Sequence, residues 1–233
     1  GAAAAQEQEQ EVIKSHGYSF YGDLTYPADF EHFNYVNPDA PKGGEISIPF
    51  VGTLDSMNPY SGKGRAHLFS IFGFESLLGE APSGEPLPAD VYGESYCLLC
   101  ESLEYPEDKS WVTFHMRPEA TFSDGTPVTA QSYVDSWNAV AYGPNAFENS
   151  GQLANIVGFS DLNPAEGEPT TTEMSGLTVL DDLTFTVELS APRPSRRGRA
   201  GMRTSRPLIV TSTVCVSGPF ARNVNDEGTF DGS

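Results

Sequence analysis

Two stretches of the chain alternate apolar and mainly polar residues with a period of two. Residues 111–117 read WVTFHMR, and residues 183–189 read LTFTVEL. This alternation is typical of a β-strand with one buried face. The turn-forming segments PEDK at 106–109 and Asp181-Asp182 precede them, which predicts that each strand belongs to a hairpin. We expect the two strands to lie in one sheet region.

A helix is predicted shortly after the first of these strands. Asp124-Gly125 indicates a tight turn, and Thr129 can then accept a hydrogen bond from the first free amides of a helix. Val128 can pack on Tyr133 as a hydrophobic staple. Apolar residues recur at helical spacing on one face of this segment: Tyr133, Val134, Trp137, Val140 and Ala141.

The other elements are less regular. Residues 44–52, GEISIPFVG, indicate a strand, DSMNPY after them a loop, and residues 68–78 a helix. Residues 1–15 are expected to be disordered. Strands and helices alternate without a helical crossover after each strand, which favours a mixed α/β fold over a doubly wound sheet.

Aromatic residues are dense between residues 18 and 35. A cluster of this kind can line a pocket, but it more often forms core, and we interpret it as core. Its members are Tyr18, Phe20, Tyr21, Tyr26, Phe30, Phe33 and Tyr35.

The charge balance narrows the classes of function. The 233 residues include 32 acidic and 13 basic ones, a net charge of -19. Such a chain repels nucleic acid and anionic membranes and suits an exported or salt-tolerant protein. No apolar run is long enough to predict a membrane span. The opening GAAAAQEQEQEV is interpreted as the mature N-terminus of an exported protein, with its signal peptide already removed.

Two features have several interpretations. Cys97 and Cys100 form a C-x-x-C pair, which is compatible with ordinary small apolar residues, a disulfide, or a redox or zinc site; we favour the first, because the four histidines provide no second ligand pair. Residues 193–206 read RPSRRGRAGMRTSR. They are compatible with a stretch read out of frame, a solvated basic loop or an anion-binding arm.

Several segments, in order, resemble a known family. They are GEISIPF, LDSMNPY, FESLLGE, ESLEYPEDKSWVTFHMRPEATFSDGTPVTAQSYVDSW and LTVLDDLTFTVELSAP. They are similar to the extracytoplasmic solute-binding proteins of peptide ABC importers, the dipeptide- and oligopeptide-binding family 5. The opening HGYSFYGDLTYPADFEHFNYVNPDAPKGG is most similar to the YejA-type subgroup. The resemblance covers residues 16–192 and returns at SGPF, residues 217–220.

The resemblance implies the first lobe of a type II periplasmic binding protein, with mixed sheets and flanking helices. Members are usually longer, so it also implies that the second lobe lies outside these residues. The chain then divides into a disordered N-terminus at 1–15, the first lobe at 16–192, an atypical basic segment at 193–216, and a partial return strand with a tail at 217–233.

The implied function is that of a receptor, not an enzyme. Two lobes close over a dipeptide or oligopeptide, which passes to the permease subunits of an ABC transporter in the periplasm or another extracytoplasmic space. The membrane is contacted only through the transporter, and no cofactor, metal or nucleic acid is involved. The implied ligand contacts lie in two segments. Tyr60, the last residue of NPY, is followed by Lys63, Gly64 and Arg65, and the segment 147–152 contributes Asn149 and Gln152.

Other functions remain as alternatives. A zinc or thiol-redox protein would use Cys97 and Cys100. A binding protein of the same family could take a nickel chelate, haem or an oligosaccharide instead of a peptide. A hydrolase is the least favoured class, since the sequence contains neither G-x-S-x-G nor H-E-x-x-H.

Overall fold

The structure is a computed structural model that describes residues 11–45, 47, 49, 51–56, 64–66, 70, 73–79, 87–146 and 150–190. The strands in these ranges are β1 (Val12–Ser15), β2 (Gly17–Ser19), β3 (Glu94–Tyr96), β4 (Cys100–Pro106), β5 (Trp111–Met116), β6 (Leu177–Asp181) and β7 (Thr184–Glu188). The helices are α1 (Ala130–Ala141) and α2 (Phe159–Leu162), and 3₁₀ turns span Gly143–Asn145 and Ser150–Leu153.

Five strands form one antiparallel sheet in the order β1-β4-β5-β7-β6, and β2 and β3 form a second, two-stranded sheet. In the larger sheet β5 pairs with β7, with Phe114 opposite Phe185. The two strands predicted from their alternating pattern are therefore adjacent, and both hairpins are confirmed. The sheet is antiparallel with a helix on one face, so the predicted mixed α/β fold is confirmed.

Helix α1 packs on one face of the larger sheet, and Phe185 lies at the centre of the contact. Its side chain is fully buried. The ring stacks on Phe114 and on Tyr133 of α1, with 5.4 and 5.8 Å between ring centroids, and Trp137 meets it edge-on at 5.9 Å. Tyr133 and Trp137 are four residues apart and thus share one helix face. The predicted apolar stripe of the helix is therefore the face that meets the sheet.

The start of α1 is fixed by the predicted cap. Thr129 Oγ1 accepts a hydrogen bond from the Ser132 amide at 3.2 Å, and Ser132 Oγ accepts one from the Thr129 amide at 3.3 Å. The Ala130 amide donates to the carbonyl of Asp182, in the turn between β6 and β7, at 2.9 Å. Because of this bond the helix begins at a point tied to the hairpin that supplies Phe185.

The two sheets are connected by one bent ribbon of two strands. β1 and β2 are separated by His16, and β3 and β4 by residues 97–99. β1 pairs with β4 and β2 pairs with β3, so both strands of the ribbon bend at the same corner. The amide of Cys97 donates to the carbonyl of His16 there at 3.0 Å.

A disulfide between Cys97 and Cys100 closes this corner. Cys100 is fully buried, and Cys97 is half-buried. The interpretation of the two cysteines as ordinary small apolar residues is therefore wrong. In the bonded state neither sulfur is a thiolate that could ligate zinc.

The aromatic cluster packs around Tyr96 of β3. The Tyr96 ring contacts those of Tyr26 and Phe30, with centroid separations of 5.6 and 5.3 Å. Its hydroxyl donates to the buried carboxylate of Glu94 at 2.5 Å. Burial is the larger cause that raises the pKa of Tyr96, and the hydrogen bond to Glu94 raises it further. The core interpretation is confirmed for the buried Tyr18 and Tyr26. It is wrong for Tyr21 and Tyr35, which are 77% and 50% exposed.

The face of the larger sheet opposite α1 carries an ion-pair network. Glu104 Oε1 lies 3.2 Å from Lys14 Nζ and 3.0 Å from His115 Nε2. Partial burial of Glu104 opposes its charged form, but the hydrogen bonds from Lys14 and His115 prevail and lower its pKa below the ordinary 4.5. The network links β1, β4 and β5 through side chains, in addition to their backbone pairing.

Three sequence predictions differ from the structure. Residues 12–15, expected to be disordered, form β1, because β4 provides a partner for them. The described residues of 44–52 belong to no strand. The helix predicted over 68–78 does not extend through 74–78; Leu78 instead forms an antiparallel bridge with Cys97. The segments 193–216 and 217–233 lie outside the described residues.

Phe185→Ala tests whether this ring organises the contact between sheet and helix. Removing a fully buried phenylalanine leaves a cavity, and we expect a loss of about 3–5 kcal/mol in the free energy of unfolding. Leu180→Ala, a 60% exposed position in the same hairpin, is the matched control and should change it by less than about 0.5 kcal/mol. Urea unfolding followed by circular dichroism measures both, and equal effects would contradict the assignment.

Glu104→Gln tests the ion-pair network through the pH dependence of stability. The folded-state pKa of Glu104 lies below its unfolded value, so its contribution is present above pH 4.5 and is lost as the pH falls through the folded pKa. We expect the stability of the wild type to decline more steeply than that of Glu104→Gln between roughly pH 5 and pH 3. Glu101→Gln, at an exposed position of β4, is the control. Parallel pH profiles for the wild type and Glu104→Gln would refute the network's role.

Replacing both Cys97 and Cys100 by alanine tests the contribution of the corner disulfide. The bridge closes a very short loop, for which the chain-entropy estimate is about 2 kcal/mol. We expect thermal unfolding of the double variant to match that of the wild type treated with a dithiol reductant, and ligand binding to persist. Stability unaltered by either treatment would show that the corner does not depend on the bond.

Candidate functional site

The structure describes three of the six residues implied as ligand contacts. Gly64 and Arg65 lie at the end of the segment that follows NPY, and Gln152 lies in the 3₁₀ turn Ser150–Leu153. All three are exposed. Tyr60, Lys63 and Asn149 lie outside the described residues, and their roles remain predictions.

Both backbone groups of Arg65 are held by the segment that precedes NPY. The amides of Asp55 and Ser56 donate to the Arg65 carbonyl at 3.1 and 3.3 Å. The amide of Arg65 donates to the carboxylate of Asp55. Ser56 also forms a parallel bridge with Ala66. Residues 55–56 and 64–66 therefore form a closed base, and we call these five residues the loop base.

Two properties of position 64 favour glycine. Its φ of +83° is one that side chains rarely adopt. A Cβ built at Gly64 would also lie 2.6 Å from Asp55 Oδ1, far inside van der Waals contact. A side chain at position 64 would therefore strain the backbone and push the Asp55 carboxylate away from the amide of Arg65.

Arg65 gives the loop base a positive side chain in an acidic protein. Of the four other described basic residues, Lys14 pairs with Glu104, Lys109 donates to the Tyr18 hydroxyl at 2.6 Å, and Arg117 donates to the Leu98 carbonyl at 2.8 Å. Lys42, like Arg65, is exposed, and its side chain has no hydrogen bond or ion pair within the described ranges. Within the described ranges, no hydrogen bond or ion pair engages the guanidinium of Arg65. A guanidinium can donate to an acceptor such as a carboxylate or a carbonyl oxygen.

Gln152 is positioned by the packing of its 3₁₀ turn. Leu153 is buried in the same core as α1, and Ser150 is buried and accepts a hydrogen bond from Asn163 Nδ2 at 3.4 Å. This packing leaves the Gln152 side chain at the surface. Among the described residues, no hydrogen bond or ion pair joins Gln152 to Gly64 or Arg65, and their joint role in one site stays a prediction.

Two features, a metal-binding group and a membrane-spanning helix, are absent from the described part of the chain. There, no group of three or more His, Cys, Asp and Glu side chains is arranged to hold a metal ion. No described helix has the length and apolar character that a membrane crossing requires. The loop base offers hydrogen-bond donors and one positive charge, which suits binding.

Comparison with known families identifies the class of protein. Residues 95–231 match the model of the bacterial extracellular solute-binding proteins, family 5 Middle, and this range is more than half of the chain. The chain belongs to this family. The family resemblance inferred from the sequence segments is therefore confirmed, and binding of a solute is the role that the family supports.

Individual relatives agree with this family assignment. The chain is 42% identical over 127 residues to the peptidoglycan-binding protein YepA of Agrobacterium fabrum, covering 51% of this chain and 20% of that protein. It is 37% identical over 135 residues to the probable peptide-binding protein YejA of the same organism, covering 58% and 21%. The chain thus spans about a fifth of the length of these relatives.

A solved structure with a bound peptide is also similar. Haemophilus influenzae OppA, in complex with the peptide RPPGFSPFR, is 26% identical with a TM-score of 0.48, covering 60% of this chain and 26% of that one.

The site residues predicted from the sequence do not include Asp55. The stretch DSMNPY, which contains it, predicts only a loop. Aspartate at a loop boundary often accepts hydrogen bonds from backbone amides, and Gly64 marks a point of special backbone conformation. These two signals were present, but the hydrogen bond between the Asp55 carboxylate and the amide of Arg65, ten residues further along the chain, follows only from the structure.

Proposed function

We propose that this chain contributes the first lobe of a peptide-binding receptor for an ABC importer, and that it has no catalytic role. The observation that carries the proposal is the family match over residues 95–231. It is supported by relatives whose names state peptide or peptidoglycan binding. Transfer of the peptide to permease subunits would follow from membership of such an importer.

The loop base supplies the contact that we propose for the peptide. Arg65 is exposed and carries the positive charge, and its backbone is held by Asp55 and Ser56. A guanidinium can donate two parallel hydrogen bonds to a carboxylate, so the peptide's carboxylate or a backbone carbonyl is the proposed partner. Tyr60, Lys63, Gly64, Asn149 and Gln152 are proposed as further contacts.

An extracytoplasmic location is part of the proposal. The Cys97–Cys100 disulfide supports it, because disulfides persist in oxidising compartments and are rare in the cytosol. The strongly acidic composition, with a net charge of -19, also suits an exported protein.

Calorimetric titration with a mixed tripeptide library tests the proposal. The guanidinium of Arg65 is exposed to solvent, so its attraction for the peptide is weakened by hydration and salt. We expect weak binding. Arg65→Ala should lower the affinity by up to about fivefold, with a larger effect at low ionic strength. Lys42→Ala removes a positive charge that is also exposed, and it should leave the affinity unchanged.

Two results would count against this function. Absence of measurable heat with any tripeptide pool would argue against peptide binding by this chain. Binding that Arg65→Ala and Lys42→Ala leave equally intact would place the contact elsewhere.

A further inference from the structure

We infer that Asp55 is the positioning residue of the loop base: its carboxylate fixes the backbone of Arg65, and so sets where the guanidinium meets the ligand. This inference rests on the proposed function for its ligand, whereas its structural part stands on the contacts of Asp55, Ser56, Gly64 and Arg65 alone.

Asp55 bonds to the backbone of Arg65 in two directions. The Asp55 carboxylate accepts the hydrogen bond of the Arg65 amide, and the Asp55 amide donates to the Arg65 carbonyl at 3.1 Å. A donor and an acceptor on one residue, both used on one partner, fix the direction of the partner's backbone as well as its distance. The side chain of Arg65 therefore leaves the loop base from a defined point.

Gly64 adopts the backbone conformation that suits the contact between the Asp55 carboxylate and the Arg65 amide. Its positive φ turns the chain so that the next amide points at Asp55, and its missing Cβ leaves the space that Asp55 Oδ1 occupies. The two residues form one unit, and a change in either should disturb Arg65.

The charge of the Asp55 carboxylate strengthens its bond to the Arg65 amide. An amide bonded to a carboxylate is held more strongly than one bonded to a neutral acceptor, because the acceptor is ionised. The carboxylate spends this bond on the backbone and makes no ion pair with the guanidinium of Arg65 among the described residues. In the described contacts, Asp55 thus positions the backbone of Arg65 without pairing with its guanidinium.

Limited digestion with trypsin tests the structural part without any ligand. We expect trypsin to cleave after Arg65 mainly when the loop base opens, so the rate of this cut should report the opening. We expect Asp55→Ala to accelerate it roughly tenfold, as the loss of a charge-assisted hydrogen bond allows. Asp55→Asn retains an acceptor oxygen and should accelerate it less than about threefold.

The same digests contain their own control. Cleavage after Lys42, quantified by mass spectrometry alongside, should be equal in all three proteins, and thermal unfolding should be unchanged. Acceleration of less than about threefold in Asp55→Ala, or equal acceleration in Asp55→Asn and Asp55→Ala, would overturn the positioning role.

A second pair of variants tests the coupling with Gly64. Gly64→Ala places a methyl group against the Asp55 carboxylate and should also accelerate the cut after Arg65. Part of that effect should vanish in the Asp55→Ala background, since the clash has been removed there. Fully additive effects on the logarithm of the rate would contradict a single unit.

Calorimetry with the mixed tripeptide library tests the ligand part. We expect Asp55→Ala to weaken binding about as much as Arg65→Ala does, and the double variant to lose little more, while Asp55→Asn binds nearly as the wild type. If the wild type binds and Asp55→Ala binds equally well, this inference is wrong and the proposed function stands. If the wild type binds no tripeptide, the proposed function and the ligand role of Asp55 both fail, and the digestion result alone describes the loop base.

Discussion

The packing of one aromatic ring, Phe185, between a sheet and a helix is the interaction on which the described fold depends. Its strand β7 is paired on both sides, with β5 and with β6. Because the ring must face α1, a register shift of one residue would turn it to the opposite face and expose the apolar side chains of β7. The bond between the Ala130 amide and the Asp182 carbonyl then sets the start of the helix beside the same hairpin. Helix, hairpin and register are thus consequences of one buried contact.

The second sheet depends on this core through the corner of the ribbon. The bend at His16 and residues 97–99 carries the chain from the larger sheet to β2 and β3, around which the aromatic cluster packs. Segment 76–79 runs beside the same corner: the Leu98 amide donates to the Leu77 carbonyl, and the Gly79 amide to the Tyr96 carbonyl, both at 2.8 Å. The corner therefore joins elements far apart in sequence, and a covalent bond at this point stabilises all of them.

The sequence was sufficient where structure is set by neighbours along the chain. The strands at 111–117 and 183–189, the cap at Thr129 and the turn at Gly125 all follow from local alternation, side-chain chemistry and backbone freedom. It was insufficient where a distant partner decides. Leu77 and Leu78 fit a helical pattern, but the backbone of 96–98 provides a strand partner for them. β1 looked disordered because its partner β4 lies about ninety residues further on.

The candidate site illustrates the same limit. A resemblance to known proteins placed Gly64 and Arg65 in it, but no local pattern showed that Asp55 holds them or that the two cysteines are joined. Tyr21 and Tyr35 belong to an aromatic-rich segment, yet the fold exposes them, since one small two-stranded sheet cannot cover every ring. Which members of a cluster become core depends on the area of the surface that covers them.

We propose that the loop base, and not another surface of this chain, meets the peptide. Photo-crosslinking with a tripeptide that carries a diazirine side chain tests it most directly, because it captures weak binding and maps the contact by mass spectrometry. The expected result is labelling within residues 52–66, suppressed by excess unlabelled tripeptide and reduced in Arg65→Ala. Competable labelling confined to another surface, such as the exposed Tyr21 and Tyr92 or strand β6, would contradict the claim.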